Sequence, residues 1–193
     1  MPSAVDSIRQ QLPGLFAASP SLRSCAGRLR LLGAMPPFIA TDDYPRPGWA
    51  LPEPPRHDAA RQTLDATAEA VWTLAEYLQA HVRDLAGLQD QAARAGLAHD
   101  LARALQRTEA LLKELGTAMR TIDHLRRFLE SGTRPASVPG VHAPYGIHAP
   151  ARSPATTLVL WLAADLERIA GEVGDLAAWE SNSLLAALPA ATP

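Results

Sequence analysis

A chain of 193 residues is long enough for one domain with its own apolar core, and a net charge of −2 gives no sign of a nucleic-acid partner or an acidic tail. Apolar residues make up 47% of the chain but aromatics only 5%, so the apolar weight lies in Ala and Leu, which suits helix-on-helix packing and argues against a sheet. The single cysteine, Cys25, excludes an intramolecular disulfide scaffold and a zinc finger.

The first residues lack the basic region and long apolar run of a signal peptide. The longest apolar run, Leu158 to Ala164, is far short of the ~20 residues that span a bilayer. A cytoplasmic location is the expectation.

In chain order, residues 1–34 read as short N-terminal helices. Val5, Ile8 and Leu12 share one face of the first, with Ser3 and Asp6 at capping-box spacing, and Pro13 with Gly14 is expected to stop it. A second short helix is expected from Leu22 to Leu32, capped by Ser19 or Ser21, with Leu22, Cys25, Leu29 and Leu32 on one face and Arg23, Arg28 and Arg30 on the other. Together they would form a partial fourth helix of a bundle.

Residues 35–57 change character. Pro36, Pro37, Pro45, Pro47, Pro52, Pro54 and Pro55 exclude regular helix, while Phe38, Ile39, Tyr44, Trp49 and Leu51 are too apolar for a free tether. An ordered, extended Pro-rich arm is expected, packed across one pole of the bundle.

Residues 58–131 organise the chain as a long helical hairpin. Leu64, Ala68, Val71, Ala75, Leu78, Val82 and Leu85 recur at steps of three and four, and so do Leu97, Leu101, Ala104, Thr108, Leu111, Leu115, Ala118, Ile122, Leu125 and Leu129. This predicts two antiparallel helices of about 50 to 55 Å, each with a coiled-coil-like seam, joined near Gly96, which supplies the positive φ that a helix C-terminus favours. Gly87 is a second place where the first of them can kink or turn. Leu105, Leu112 and Met119 widen the apolar face of the second.

Residues 132–153 form a Pro/Gly loop containing His142, Tyr145 and His148. Ser153 and Pro154 then suit the N-cap and first position of a third long helix over 154–187, with Val159, Leu162, Leu166, Ile169, Val173 and Leu176 on its seam. The predicted fold is therefore all-α: an antiparallel bundle of three long helices, the short N-terminal helices and the arm, in one domain over 1–193. Leu78, Leu111, Leu115, Ile122, Leu166 and Ile169 are the expected core.

No catalytic signature is present: no phosphate loop, no nucleophile elbow, no His-Glu-x-x-His, no Glu-x-x-His pair of the di-iron type. Glu76 and His81 are five apart and point to different faces. No metal or cofactor is assigned. In a hairpin turning near Gly96, the start of the first helix lies beside the end of the second, so His57, Asp58, Asp123 and His124 gather at one pole. The arm, with Tyr44 and Trp49, enters there, and the loop with His142, Tyr145 and His148 leaves from it. Such a pole can build a concave site between helices. Trp72 and Trp161 read as packing residues beside the seams, and Cys25 as a small buried apolar residue.

Lys113 is the only lysine beside many arginines, and this Ala/Arg/Pro-rich composition resembles that of helical proteins from high-GC bacteria. The likeness covers composition and no motif. The function expected on these grounds is that of a non-enzymatic helical interaction or accessory protein, with a protein partner or self-association. The alternative is a small-ligand or metal-binding bundle with its site at the pole just described.

Overall fold

The computed structural model describes residues 4–34, 54–131 and 154–188, of which 54–57, 131 and 154 are described by their backbone alone. The elements are α1 (Ala4–Gly33), α2 (Pro54–Ala86), α3 (Gln89–Arg94), α4 (Ala98–Ser131), α5 (Pro154–Trp179), a π-helix (Glu180–Leu184) and a last turn, α6 (Leu185–Ala187). The described residues contain no strand. The all-α prediction holds.

Among the described residues, four long helices pack in the cyclic order α1, α2, α4, α5 around one apolar core. Their directions follow from the pairs that meet. Ser7 and Gln11 of α1 reach Asp84 near the end of α2, and Tyr77 lies over Gly14, so α1 and α2 are antiparallel. Arg126 reaches Asp65 across α4 and α2, and Gly33 abuts Val159 and Leu160 while Gly174 abuts Ser19. The path is up, down, up, down. The expected core residues Leu78, Leu111, Leu115, Ile122, Leu166 and Ile169 are all buried.

The N-terminal region corrects the sequence reading. Pro13 and Gly14 do not end a helix, and no new helix starts at Ser19 or Ser21; α1 is continuous through Pro13 and Pro20. The reason is its seam. Val5, Ile8, Leu12, Leu15, Ser19, Leu22, Ala26, Leu29 and Gly33 advance by threes and fours across both prolines, and all are buried. Burying each Leu, Ile or Val is worth ~1.5 to 3 kcal/mol, and together they outweigh the ~3 kcal/mol that one proline costs inside a helix. Both prolines sit on the exposed side. The carbonyls they deprive of a donor, those of Arg9 and Phe16, belong to exposed residues and can turn to water. Among the described residues the bundle therefore has four long helices rather than three and a fraction.

Residues 54–131 differ from the sequence reading in two places. Helix α2 starts at Pro54 rather than after Asp58, because proline suits a first turn whose N–H groups lack intrahelical partners. It then stops at Ala86. The Gly87 N–H donates to Arg83 and the Leu88 N–H to Leu85, three residues back, and the short α3 follows. Gly87 lies beside Ala4, the first residue of α1, so α2 turns where its neighbour begins. Helix α3 ends in a Schellman motif, with Gly96 at φ 74°, its N–H on Ala93 and the Leu97 N–H on Ala92.

Two seam positions also shift. In α2 the buried residues are Leu74 and His81, while Ala75 and Val82 are half-buried beside them. Trp72, expected to pack, is 60% exposed; Trp161 and Trp179 do pack against the core. Cys25 is buried as expected.

Outside the core, arginines clamp neighbouring helices. Arg30 of α1 holds both carboxylate oxygens of Glu167 of α5, and that hydrogen bond holds the Glu167 carboxyl below the ordinary glutamate value. Arg168 of α5 reaches Glu114 of α4 at 2.9 Å. No described helix is long and apolar enough to cross a membrane.

Candidate functional site

The pole singled out from the sequence is only partly described. Tyr44, Trp49, His142, Tyr145 and His148 lie outside the described residues, and His57 falls in the first turn of α2, where the backbone alone is described. Of the three remaining residues, Asp58 is exposed in the first turns of α2, and the other two lie near the end of α4, each engaged locally. Asp123 faces Arg126 one turn on at 3.6 Å, and the His124 ring approaches the Arg120 carbonyl at 3.0 Å through Nδ1. Among the described residues no group of His, Cys, Asp and Glu is placed to hold a metal ion.

The densest polar cluster among the described residues lies toward the opposite end, where α1 begins and α2 and α5 finish. His81 is fully buried on the α2 seam, between Leu78 and Leu85. Its Nε2 lies 2.7 Å from Oε2 of Glu180, which is also fully buried. Its Nδ1 lies 2.9 Å from Oε1 of Gln11 on α1. The Gln11 amide donates through Nε2 to Asp84 Oδ2 at 2.6 Å, and the Ser7 hydroxyl donates to the same oxygen at 2.6 Å.

These bonds fix one another. Because Gln11 gives its NH₂ to Asp84, its carbonyl oxygen faces the ring, and His81 Nδ1 must carry a proton. One further proton then lies between His81 Nε2 and Glu180 Oε2. The network reads, from half-buried to sealed, Ser7, Asp84, Gln11, His81, Glu180, and it ties α1, α2 and the start of the π-helix together. The other Glu180 oxygen, Oε1, is buried with no partner among the described residues, a cost of about 1 to 3 kcal/mol that the rest of the contact offsets.

The π-helix explains how Glu180 gets there. Leu185 donates its N–H to the Glu180 carbonyl, five residues back, so this turn carries one more residue than an α-turn. Ser181, Asn182 and Ser183 stay exposed, and Glu180, Leu184 and Leu185 all face inward. A groove of about 440 Å³ passes outside this turn, lined in part by Leu12, Phe16, Leu185 and Arg9. It does not open onto the pair: His81 and Glu180 are each 0% exposed.

A carboxylate on an imidazole is the usual equipment of acid–base chemistry, but a general base must come within hydrogen-bond reach of the substrate's proton. Here the ring and the carboxylate are sealed in the core. The arrangement as it stands couples three helical segments. Sequence reasoning missed it because the partners are far apart in the chain. The available signal was polarity in register: His81 stands three after Leu78 and four before Leu85, and Glu180 stands four after Leu176 and four before Leu184. Two polar residues on apolar seams call for each other.

Compared with protein families, with curated proteins and with solved structures, the chain finds no match in any of the three.

Proposed function

We propose that this protein is a non-enzymatic interaction or accessory protein, a rigid helical bundle that works by docking against another protein chain. The observation that carries this reading is Trp72, 60% exposed in the middle of α2. Its neighbours one turn away on either side, Glu69 and Glu76, are exposed as well. An indole presents a large apolar surface with one polar handle, and tryptophan is the residue type most enriched where binding energy concentrates. The sealed state of the His81–Glu180 pair accords with the same reading, since a pair closed off in the core serves the fold.

The test places a photoreactive benzoylphenylalanine at position 72 and, as control, at Glu109, exposed on α4. Crosslinking in cells is expected to give a discrete protein adduct from position 72 and none from 109. Equal, diffuse labelling from both would contradict the reading. A metal or metabolite that raised the melting temperature would instead favour the small-ligand alternative; at 100 times its dissociation constant a ligand adds about 2.7 kcal/mol.

A further inference from the structure

Glu69 stands three residues before Trp72 on α2 and Glu76 four residues after it, so both carboxylates lie one turn from the indole on the same exposed stripe. Among the described residues neither glutamate is in an ion pair or a hydrogen bond. The two negative charges flank a ring that is 60% exposed.

The arginines around this patch are engaged elsewhere or distant. Arg126 of α4 reaches Asp65 and Asp123. In the antiparallel register that the Arg126–Asp65 pair sets, Arg120 comes level with Trp72, but its guanidinium donates back to Thr117 of its own helix at 2.9 Å. On α1, Arg23 acts on Glu167 of α5, and Arg28 approaches Cys25 Sγ. Along the stripe itself Arg61 and Arg83 stand three turns to either side of the indole, ~16 Å away, about twice the screening length at physiological salt.

This arrangement selects among partner chemistries. The face of an indole attracts a cation more strongly than the other aromatic rings do. A guanidinium laid flat on that face sends its N–H groups outward to the sides, where the Glu69 and Glu76 carboxylates stand ready to accept them. An ammonium supplies the charge without the flat fork. A neutral apolar partner would cover Trp72 and strip water from two carboxylates without offering them a counter-charge, and an acidic partner would be repelled.

We propose that the α2 face at Trp72 seats an arginine of a basic protein segment, stacked on the indole and held on either side by the carboxylates of Glu69 and Glu76. This rests on the reading of the protein as an interaction module that docks through Trp72, and it names the chemistry of the partner.

Fluorescence anisotropy of the full chain with a labelled peptide of alternating arginine and serine tests it, beside peptides in which lysine or glutamate replaces the arginine. The arginine peptide is expected to bind, the lysine peptide to bind at least about threefold more weakly, and the glutamate peptide not to bind. Trp72→Ala should weaken the arginine peptide at least about tenfold, and so should Glu69→Gln with Glu76→Gln. Glu109→Gln with Glu130→Gln, which removes the same charge from exposed positions of α4, should leave its affinity unchanged. No binding of the arginine peptide at about 1 mM overturns the proposal, as does a lysine peptide that binds equally well or an affinity indifferent to the substitutions at Trp72, Glu69 and Glu76. A discrete crosslinked protein from position 72 in cells, together with a failed arginine peptide, would leave the docking reading standing and remove the arginine seat, so the two failures are distinguishable.

Discussion

Helices α1 and α2 lie side by side, carry comparable interruptions, and respond to them in opposite ways. α1 runs through Pro13 and Pro20 unbroken, whereas α2 stops at Gly87, a residue that costs far less in a helix than proline does. The difference lies in what stands alongside. Both prolines of α1 fall where α2 and α5 continue to cover the buried side, so burial on the seam overrides the lost hydrogen bonds. Gly87 falls level with Ala4, where α1 begins, and past that point an extended α2 would lose one of its two neighbours. The chain turns instead, and Leu88 and Ala92 are buried in the returning segment.

α1 also meets α2 where the α2 seam turns polar, through Gln11 on His81, and the largest loss of stability is expected there. His81→Leu should cost about 3 to 5 kcal/mol in a denaturant titration, because Glu180 is left as a buried carboxylate without its partner. Adding Glu180→Leu should recover most of the loss, and a double variant no better than the single one would mean that the two residues act independently.

Next in size is Leu15→Ala, which lies between the two prolines and is fully exposed to the cost of a core cavity. A loss of ~2 to 5 kcal/mol is expected if α1 is continuous and docked along its length. A loss under about 0.5 kcal/mol, the range of surface changes, would show two loosely attached pieces instead.

Pro13→Ala runs the other way. It restores a helix donor at an exposed position, so stability should rise by about 2 kcal/mol, the ~3 kcal/mol helical cost of proline less the ~1 kcal/mol by which proline restricts the unfolded chain. Thermal melts of the two proteins check it, and a fall would mean that the kink at Pro13 is needed for packing.

The smallest effect belongs to the clamp between α1 and α5. The hydrogen bond from Arg30 lowers the Glu167 pKa from its ordinary 4.5. A carboxyl lowered on folding stabilises the fold above its unfolded value, and the contribution disappears as pH falls through the folded value. Glu167→Gln should therefore lower stability slightly at pH 7 and leave it equal to the parent at pH ~2, well below the ordinary carboxyl range. Both groups are exposed, which keeps the effect small. An unchanged difference at the two pH values would show that the ion pair contributes nothing.

Where large apolar residues recur at threes and fours without punctuation, the sequence specified the structure closely: α4 and α5 follow their predicted seams, and Gly96 takes the predicted positive φ. α1 was harder to read because local proline chemistry and long-range burial disagree there, and a sequence displays the first openly and the second only as an uninterrupted period. In α2 the apolar Val82 drew the seam away from its neighbour His81, since the pairing that makes a buried histidine acceptable comes from a residue on another helix. The same fact hid the cluster around His81 altogether. The pole chosen instead rested largely on loop and arm residues; of the residues gathered there Asp58, Asp123 and His124 alone have described side chains, and the last two are engaged within their own helix.

A sealed imidazole, that of His81, joins α1, α2 and the π-helix. Nitrogen-15 NMR of the histidine side chains tests it directly. The His81 ring is expected to show a proton on Nδ1 that exchanges with solvent far more slowly than the ring protons of exposed His99, and Glu180→Gln should displace the Nε2 resonance while leaving His99 unmoved. A His81 ring that exchanges as fast as His99 and ignores the substitution at Glu180 would contradict the account.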